Sequence, residues 1–395
     1  MGPQRAHAAG QEGLCQSMAA SDFEIRLVET WSDLASLQED WDRLLGRTRS
    51  DVLFLTWAWI EAWHDVMRDV VRPFVLVARD STGRLRGVAP FYVAPYHFLR
   101  LIPCRALRIL GDHHTGAEYG DWIVDADREA EVGLALAAAL AARRRRWDFV
   151  WMPNVPAFTG ARERLVSACL AAGLGVRERG MEFSAATLPR GYEEFWRALS
   201  SNARSSIQRQ RRKVHQLGPS LARCTETHQL PAFLEALDAL NHRRWSAKAL
   251  TGTFRRKPEE LAFYRRFTRD ALSRGWLRFF ALKLGDEFKA IQFGYAYKGS
   301  FLQLQEGFDP SGPPGLGNVL RDKVIESCIR EGLTTYDFLG QHTEHKRRWR
   351  ARVRPGCDLL ISHRRPLSAA LGRAGVWPTG RFLRPRRLSL PYAAG

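Results

Sequence analysis

A glycine-rich loop, Gly312-Pro-Pro-Gly-Leu-Gly-Asn318, is the segment of this sequence best suited to bind an anion. The alternating stretch from Phe301 to Phe308 before it predicts a strand, and apolar residues after it recur at helical spacing as far as Gly332. The loop would therefore lie at a helix N-terminus, where backbone N–H groups and the helix dipole favour a phosphate. The predicted phosphate-binding residues are Gly315, Leu316, Gly317 and Asn318. A simple tight turn is the alternative interpretation of this loop.

The strand patterns on either side of the loop define the surrounding sheet. Thr334 to Leu339 predicts a strand after the helix, and a right-handed crossover makes it parallel to the strand over 301–308. Leu277 to Leu284 and Phe288 to Tyr297 predict two earlier strands, separated by a short polar turn. An antiparallel meander thus leads into the crossover that carries the anion-binding loop.

Several short motifs in the second half of the chain follow one another in a characteristic order. They are Arg244-Trp245 before Gly252, Gly307-Phe308-Asp309, Pro314-Gly315, Gly332, Asp337-Phe338-Leu339-Gly340 and Lys346-Arg-Arg-Trp349. Together with the order of strands and helix, they resemble the GNAT-type acyltransferases. Within that superfamily they are similar to the CelD-like acetyltransferase domain, which is related to the Fem peptidyltransferases. The resemblance is clearest over residues 193–350.

The resemblance implies an acyltransferase whose co-substrate is acyl-CoA, with acetyl-CoA as the expected donor and no metal ion. In this superfamily the loop after the fourth strand holds the pyrophosphate of the donor, which here implies residues 315–318. The acceptor would be an amine or hydroxyl group of a small molecule or of an envelope or exopolysaccharide precursor. The family pattern also places Arg244 and Trp245 near the substrate pocket.

Three ionisable residues of this region are candidates for the catalytic site. Glu306, near the carboxyl end of its strand, is the candidate general base, and a carboxylate paired with an arginine is the alternative. The resemblance to Fem proteins places Lys346 where an ammonium could stabilise an oxyanion or bind phosphates of the acceptor. A solvated lysine in a basic run is the alternative there. A buried Asp337 would orient neighbouring histidine or lysine side chains.

The first half of the chain repeats the same order of strands and helices, which predicts an α/β fold of two tandem GNAT-like domains. Each would be a mixed, mainly antiparallel sheet flanked by helices. The expected domains are 21–190 and 191–365, with a disordered N-terminus over 1–20 and a basic, flexible tail over 366–395. Asp125-Ala-Asp127 enters the crossover helix of the first domain, and its carboxylates would repel a pyrophosphate. Only the second domain is therefore expected to bind CoA.

A polar loop of the first domain, Gly111 to Asp121, contains candidate acceptor-binding residues. These are Asp112, His114 and Tyr119, because loops carry function more often than their length suggests. An ordinary solvated loop is the alternative. We exclude a metal site at the adjacent histidines of this loop, because neighbouring side chains point apart on most backbones.

The formal net charge of +18 over 395 residues predicts attraction to anions. A long helix predicted from Glu193 to Leu217 has a strongly basic face, which is either a solvated surface or a clamp for an anionic acceptor or tRNA. Two alternative functions follow. One is a Fem-like transferase that uses aminoacyl-tRNA, and the other is a non-catalytic protein that binds polyanions. The basic tail could contact anionic lipid or nucleic acid by charge alone.

The cysteines and the apolar segments indicate the compartment. Six cysteines are scattered without a CxxC pair, which is typical of reduced structural thiols. The longest apolar run, Val132 to Ala142, is shorter than the ~20 residues that a membrane-spanning helix needs. No pattern of a signal peptide is present. The sequence therefore predicts a cytoplasmic protein without stable membrane insertion.

Overall fold

The strands of the protein form one continuous sheet. The computed structural model describes residues 22–246, 254, 257–374, 377–378 and 383–385, and the side chain of Trp245 lies outside that description. The described strands are β1 (Phe23–Val28), β2 (Arg72–Asp80), β3 (Leu85–Phe98), β4 (Ile102–Ile109), β5 (Ile123–Val124), β6 (Phe149–Pro156), β7 (Gly175–Thr187), β8 (Ser220–Arg223), β9 (Leu277–Leu284), β10 (Glu287–Tyr297), β11 (Ser300–Phe308), β12 (Thr335–Gly340), β13 (Arg352–Ser362) and β14 (Leu383–Pro385). Their spatial order is β1-β2-β3-β4-β6-β13-β7-β12-β11-β10-β9-β8, with β5 and β14 each paired with β3.

Helices flank this sheet. The described α-helices are α1 (Trp31–Ala35), α2 (Gln38–Leu45), α3 (Trp57–Met67), α4 (Glu129–Ala142), α5 (Ala161–Ala171), α6 (Tyr192–Ala198), α7 (Ser201–His215), α8 (Leu230–Ser246), α9 (Pro258–Ser273), α10 (Leu316–Arg330), α11 (Glu344–Arg347) and α12 (Pro366–Ala374). Within the described residues, no helix combines the length and the hydropathy that crossing a membrane requires.

Each half of the molecule contains one short parallel strand pair in an otherwise antiparallel arrangement. In the first half β4 pairs in parallel with β6, and in the second half β11 pairs in parallel with β12. The remaining pairs among the described strands are antiparallel. The predicted parallel crossover is confirmed, and so is the α/β fold with two tandem, mainly antiparallel domains.

The last strand of each half lies between strands of the other half. β7 pairs with β12 of the second half, and β13 pairs with β6 of the first half. β7 and β13 also pair with each other, from Gly175 opposite Ser362 to Ala185 opposite Arg352. The expected boundary near residue 190 falls between β7 and α6, and we retain it as a proposal. The two halves nevertheless share these two strands rather than forming separate sheets.

The hydrophobic core continues from one half into the other. Trp59 of α3 is fully buried and contacts Phe263 and Phe267 of α9, with ring centroids 4.6 and 4.9 Å apart. These edge-to-face contacts join a helix of the first half to a helix of the second, and aromatic burial of this kind is a large stabilising term. The halves are therefore held by apolar packing as well as by the shared strands.

The basic segment predicted as one helix from Glu193 to Leu217 is divided into α6 and α7. Ser200 adopts an extended conformation between them, and its hydroxyl accepts a hydrogen bond from the Ala203 N–H. A serine in this position is a strong N-cap, so a new helix begins there. The prediction of a single helix is wrong because the capping interaction outweighs the continuous helical pattern.

The segment after Pro366, predicted to be a flexible tail, is partly ordered. Residues Pro366–Ala374 form α12, in which Leu371 is buried and the Ser368 hydroxyl accepts a hydrogen bond from the His363 N–H at 2.8 Å. Further on, β14 pairs with β3. α12 packs against β13 and β7, and Leu383 of β14 lies opposite Phe98, so these stretches have partners in both halves. The bounds of the tail stay a proposal. Residues 386–395 and the predicted disordered residues 1–20 lie outside the description.

Substituting Gly356→Ala tests the tight packing at the centre of the shared strands. A Cβ at Gly356 would lie 2.3 Å from the Phe183 ring and 2.8 Å from the Val155 carbonyl oxygen. We expect a loss of ~1–3 kcal/mol in the free energy of unfolding, measured by denaturant titration. Gly180→Ala in the neighbouring strand is the control, because a Cβ there meets nothing within 4 Å. Equal losses in the free energy of unfolding for the two substitutions would contradict the tight packing around Gly356.

Candidate active site

A cleft opens where β11 and β12 separate. The two strands pair only from Ser300 to Leu302, opposite Thr335 to Asp337, and then diverge. A cavity of about 390 Å³ lies beyond that point. Its lining residues come from a loop of the first half and from α8 and the strands of the second half. They are Gly116, Glu118, Asn241, Arg244, Gln303, Leu304, Gln305, Glu306, Phe338, Leu339, Gly340 and Lys346. The separated strands expose backbone groups that an extended ligand can pair with.

The wall of the cleft on β12 is an irregular backbone fixed by Lys346. The pairing of β12 with β7 shifts register between Asp337 and Gly340, and Leu339 has a positive φ of 59°. Lys346 Nζ donates to the carbonyl oxygens of Phe338 at 2.9 Å, Leu339 at 3.4 Å and Gly340. An ammonium has three donors, so all of them are used here. Lys346 therefore stabilises the bulge, although burial lowers the pKa of its ammonium.

Glu118 brings a buried carboxyl group from the first half to this wall. It accepts a hydrogen bond from the Gly340 N–H, and its other oxygen, Oε2, is enclosed without a hydrogen-bond partner among the described residues. Burial raises the pKa of Glu118 to about 8, and the nearby Asp337 charge contributes to the increase. A carboxyl group that gains and loses its proton near neutral pH is suited to general acid–base chemistry. Glu118 lies in the polar loop predicted to bind the acceptor, but nothing in its spacing distinguishes it from the neighbouring polar residues.

Tyr119 joins the two halves beside the cleft. Its hydroxyl donates to Asp337 Oδ2 at 2.7 Å, and Asp337 also accepts hydrogen bonds from the Leu339 N–H at 2.9 Å and from Arg354 at 3.3 Å. Tyr119 is buried and has a positive φ of 60°, a conformation that costs energy for a residue with a large side chain. Burial raises the pKa of Asp337. Both residues, which the sequence suggested as site residues, thus lie in one buried network.

Glu306 faces the cleft as one partner of an ion-pair cluster. It contacts the Arg321 guanidinium, and Arg244 lies 3.2 Å from its Oε1. Burial alone would raise the pKa of Glu306, but the charges of Arg321 and then Arg244 lower it below its ordinary value. The carboxylate is therefore ionised and paired, which is the alternative that the sequence left open. Arg244 lies near the pocket as the motif implied, and the side chain of Trp245 lies outside the description.

The glycine-rich loop lies at the N-terminus of α10. Gly315 has a φ of 101°, and the first turn of this helix has no acidic residue. The Asn318 side chain donates to Gln210 Oε1 at 3.1 Å, so α7 lies directly across the loop. A cavity of about 330 Å³ beside Asn318 is lined by polar and apolar residues of α7 and by Glu344, Arg348 and Trp349. The helix N-terminus and the Arg348 guanidinium both favour an anion, whereas the Glu344 carboxylate on the same cavity opposes one.

A short polar chain connects this loop with the cleft. His345 Nε2 accepts a hydrogen bond from Arg321 at 2.9 Å and lies 3.2 Å from Asn318 Oδ1. Burial lowers the pKa of His345 to about 4, and the charge of Arg321 adds to that effect. His345 is therefore neutral near pH 7 and can accept from the arginine. The sequence did not indicate Arg321, which lies on the buried face of α10.

Two of the predicted acceptor residues lie away from the cleft. Asp112 is paired with Arg108 at 2.9 Å and accepts from the Tyr92 hydroxyl at 3.0 Å. Burial raises the pKa of Asp112 and lowers the pKa of His114 to about 4. Neither residue is among those that line the cleft cavity. Asp112 is held by partners of the first half, and His114 is half-buried in the same loop.

Part of the basic face of α7 is also occupied. Arg211 is paired with Asp322, and its guanidinium lies 4.2 Å from the centre of the Trp196 ring. This side chain joins α6, α7 and α10. It is therefore a structural contact rather than a free member of an anion clamp.

The buried carboxyl of Glu118 gives a prediction about stability and pH. Its pKa rises from an ordinary value of 4.5 to about 8 in the folded chain, so the unfolded chain releases this proton at lower pH. Stability should therefore fall as the pH rises through that interval, by up to ~1.4 kcal/mol per pH unit. Glu118→Gln should remove this contribution, and unfolding of both proteins across the interval measures it. The exposed Glu194→Gln is the control, and an identical pH dependence in all three proteins would contradict the prediction.

Comparison with known proteins agrees with this architecture. Residues 201–347 match the family profile described as an acetyltransferase (GNAT) domain. The crystal structure of FemX superposes with a TM-score of 0.57 at 11% identity, covering 81% of this chain and 95% of that chain. A tandem GNAT protein from the clavulanic acid biosynthesis pathway has a TM-score of 0.47 at 12% identity, covering 87% and 99%. No curated protein sequence matches the chain.

At this level of identity the likeness to FemX concerns the fold alone. The match over residues 201–347 covers α7 to α11, which includes the glycine-rich loop and most of the cleft. Residues 201–347 therefore correspond to a GNAT-type acetyltransferase domain.

Proposed function

We propose that the protein is an acyltransferase that moves an acetyl group from acetyl-CoA to an amine of a small-molecule or polymer-precursor acceptor. The observation that carries this proposal is the cleft between the diverging strands β11 and β12, with the buried carboxyl group of Glu118 on its wall. A thioester placed between such strands and a base beside it are what acyl transfer to an amine requires.

The donor would bind along the cleft and the loop. Its pantetheine arm would pair with exposed backbone groups of residues 303–306 and 338–340, as an added strand does. The backbone N–H groups of residues 315–318 would hold the pyrophosphate, with Arg348 beside them. When bound, acetyl-CoA supplies a thioester carbonyl that is activated for attack.

Glu118 would act as the general base. It takes the proton from the acceptor amine as the nitrogen forms its bond to the acyl carbon and the carbon–sulfur bond breaks. CoA leaves as a thiolate, which takes a proton from water to give the free thiol. We assign this role to Glu118 rather than Glu306, because Glu306 is already ionised and held by two arginines. A carboxyl group with a pKa near 8 is a stronger base than an ordinary glutamate.

Lys346 and Asp337 would be positioning residues. Lys346 fixes the bulged backbone whose Gly340 N–H binds Glu118, and Asp337 anchors the same segment through the Leu339 N–H. The positive charge of Lys346 also faces the Glu118 carboxylate once the proton is lost. The resemblance to CelD-like proteins leads us to propose an exopolysaccharide or envelope precursor as the acceptor.

Calorimetric titration of acetyl-CoA tests the donor site. We expect Asn318→Asp to abolish binding, because a carboxylate in the first turn of α10 repels a pyrophosphate. Asn318→Ala should retain binding within about tenfold, because the backbone N–H groups remain. Moderate salt should be present so that nonspecific charge attraction is screened. Failure of the folded wild type to bind would contradict the CoA assignment and favour aminoacyl-tRNA as the donor.

Kinetics of Glu118→Gln test the base. We expect kcat to fall by about 10²–10⁴-fold, as is usual for loss of a general base. The wild-type kcat should increase with pH up to about 8, where the Glu118 carboxyl loses its proton, and this rise should be absent from the variant. Release of free thiol with a panel of amine acceptors provides the rate. An exposed change, Glu194→Gln, should leave the rate unchanged, and an active Glu118→Gln enzyme with the wild-type pH profile would rule out this role.

A further inference from the structure

The turn between β3 and β4 exposes an apolar tip. Among the described residues, three of the large hydrophobic side chains most open to solvent lie within this turn: Leu99 is 47% exposed, Leu101 is 83% exposed and Ile102 is 42% exposed. Such side chains are normally scattered singly over a surface. Their concentration at the end of one hairpin points to a partner that takes apolar groups.

The backbone of this turn holds the tip in an unfavourable conformation. Leu99 and Arg100 have positive φ values of 53° and 66°, and the Leu101 N–H donates to the Phe98 carbonyl at 3.1 Å. A hairpin turn of this kind prefers Asn-Gly, which adopts positive φ at low cost. Leucine and arginine at these positions are therefore unfavourable for folding. Because Leu99 and Arg100 occupy these unfavourable positions, we infer that the exposed pair has a function.

The chain segments that form the tip and pair beside it are strongly basic. The sequence contains no acidic residue between Asp80 and Asp112, and none after Asp358. Arg100 is exposed at the turn, and β14 pairs with the same hairpin so that the exposed Arg384 lies opposite His97. The sequence next to this strand adds Arg381, Arg386 and Arg387. The fold thus brings β14, with Arg384, close to the apolar tip, which lies far from it in sequence.

We propose that the β3–β4 tip, defined as residues 98–102 with Arg384, docks the protein on an anionic lipid surface. Leucine side chains at the tip would enter the boundary between headgroups and acyl chains, and the arginines would bind lipid phosphates. A second copy of the chain is a poor partner, because its tip would carry the same positive charge and the whole chain has a net charge of +18. This proposal concerns a surface of the first half and does not depend on the acyltransferase assignment.

Vesicle co-sedimentation of the full chain tests the proposal. At physiological salt the protein should bind phosphatidylcholine vesicles that contain phosphatidylglycerol, and bind vesicles of phosphatidylcholine alone much more weakly. Leu99→Asn with Leu101→Ser should reduce binding about tenfold or more, because two apolar side chains no longer leave water. Asparagine also suits the positive φ at position 99, so the hairpin should still form. The matched control is Leu134→Ser with Leu170→Ser, which removes two exposed leucines elsewhere.

The charge contribution is tested separately. Arg100→Glu with Arg384→Glu should reduce binding to the anionic vesicles about tenfold or more, and Arg190→Glu with Arg330→Glu should have a much smaller effect. An environment-sensitive fluorophore attached at Leu101→Cys should shift to shorter wavelength only when anionic vesicles are added. Unchanged binding by the Leu99 and Leu101 variant would overturn the proposal. So would a fluorophore that is already shielded without lipid, since another part of the chain or a second copy would then cover the tip.

Discussion

The backbone pairing between β7 and β13 determines how the rest of the molecule is arranged. Each of these strands also pairs with the opposite half, β7 with β12 and β13 with β6. Backbone hydrogen bonds in a buried ladder cannot be broken without leaving polar groups unsatisfied. The relative position of the two halves is therefore fixed by the sheet itself. The loop of the first half that contains Glu118 and Tyr119 is held against β12 as a consequence.

The chemistry proposed for the cleft depends on that fixed position. Glu118 is buried against Gly340 of the other half, and this burial raises its pKa into the range of a useful base. Glu306 is equally close to the cleft, but two arginines compensate its charge and keep it ionised. The opposite pKa shifts of Glu118 and Glu306 thus come from the residues around each carboxyl group. A duplicated fold can create such a site at the junction of its halves. Here the first half contributes the Glu118 carboxyl group, and the second half contributes the Gly340 N–H that binds it.

Much of the second half could be predicted from local sequence. The glycine-rich loop, the strands on either side of it and the helix after it follow from turn residues and from periods of two and 3.6 residues. Lys346 and Asp337 could be selected because they lie within motifs close to those strands. Arg321 could not, because it lies on a helix face that carries both apolar and charged residues and its partners are distant in sequence. Asp112 was selected for its polar loop, yet Arg108 of the preceding strand and the Tyr92 hydroxyl satisfy it.

The sequence by itself determined the order of elements, the duplicated α/β fold, the parallel crossover and the glycine-rich loop at the start of α10, because each depends on residues near one another in the chain. The tertiary structure decided which side chains share the cleft, that the halves exchange their last strands, and that β14 lies beside the β3–β4 tip. Those outcomes depend on contacts such as the hydrogen bond from Tyr119 to Asp337, whose partners are 218 residues apart. No local period or spacing encodes such a contact, because it forms only when buried apolar surfaces bring the two halves together.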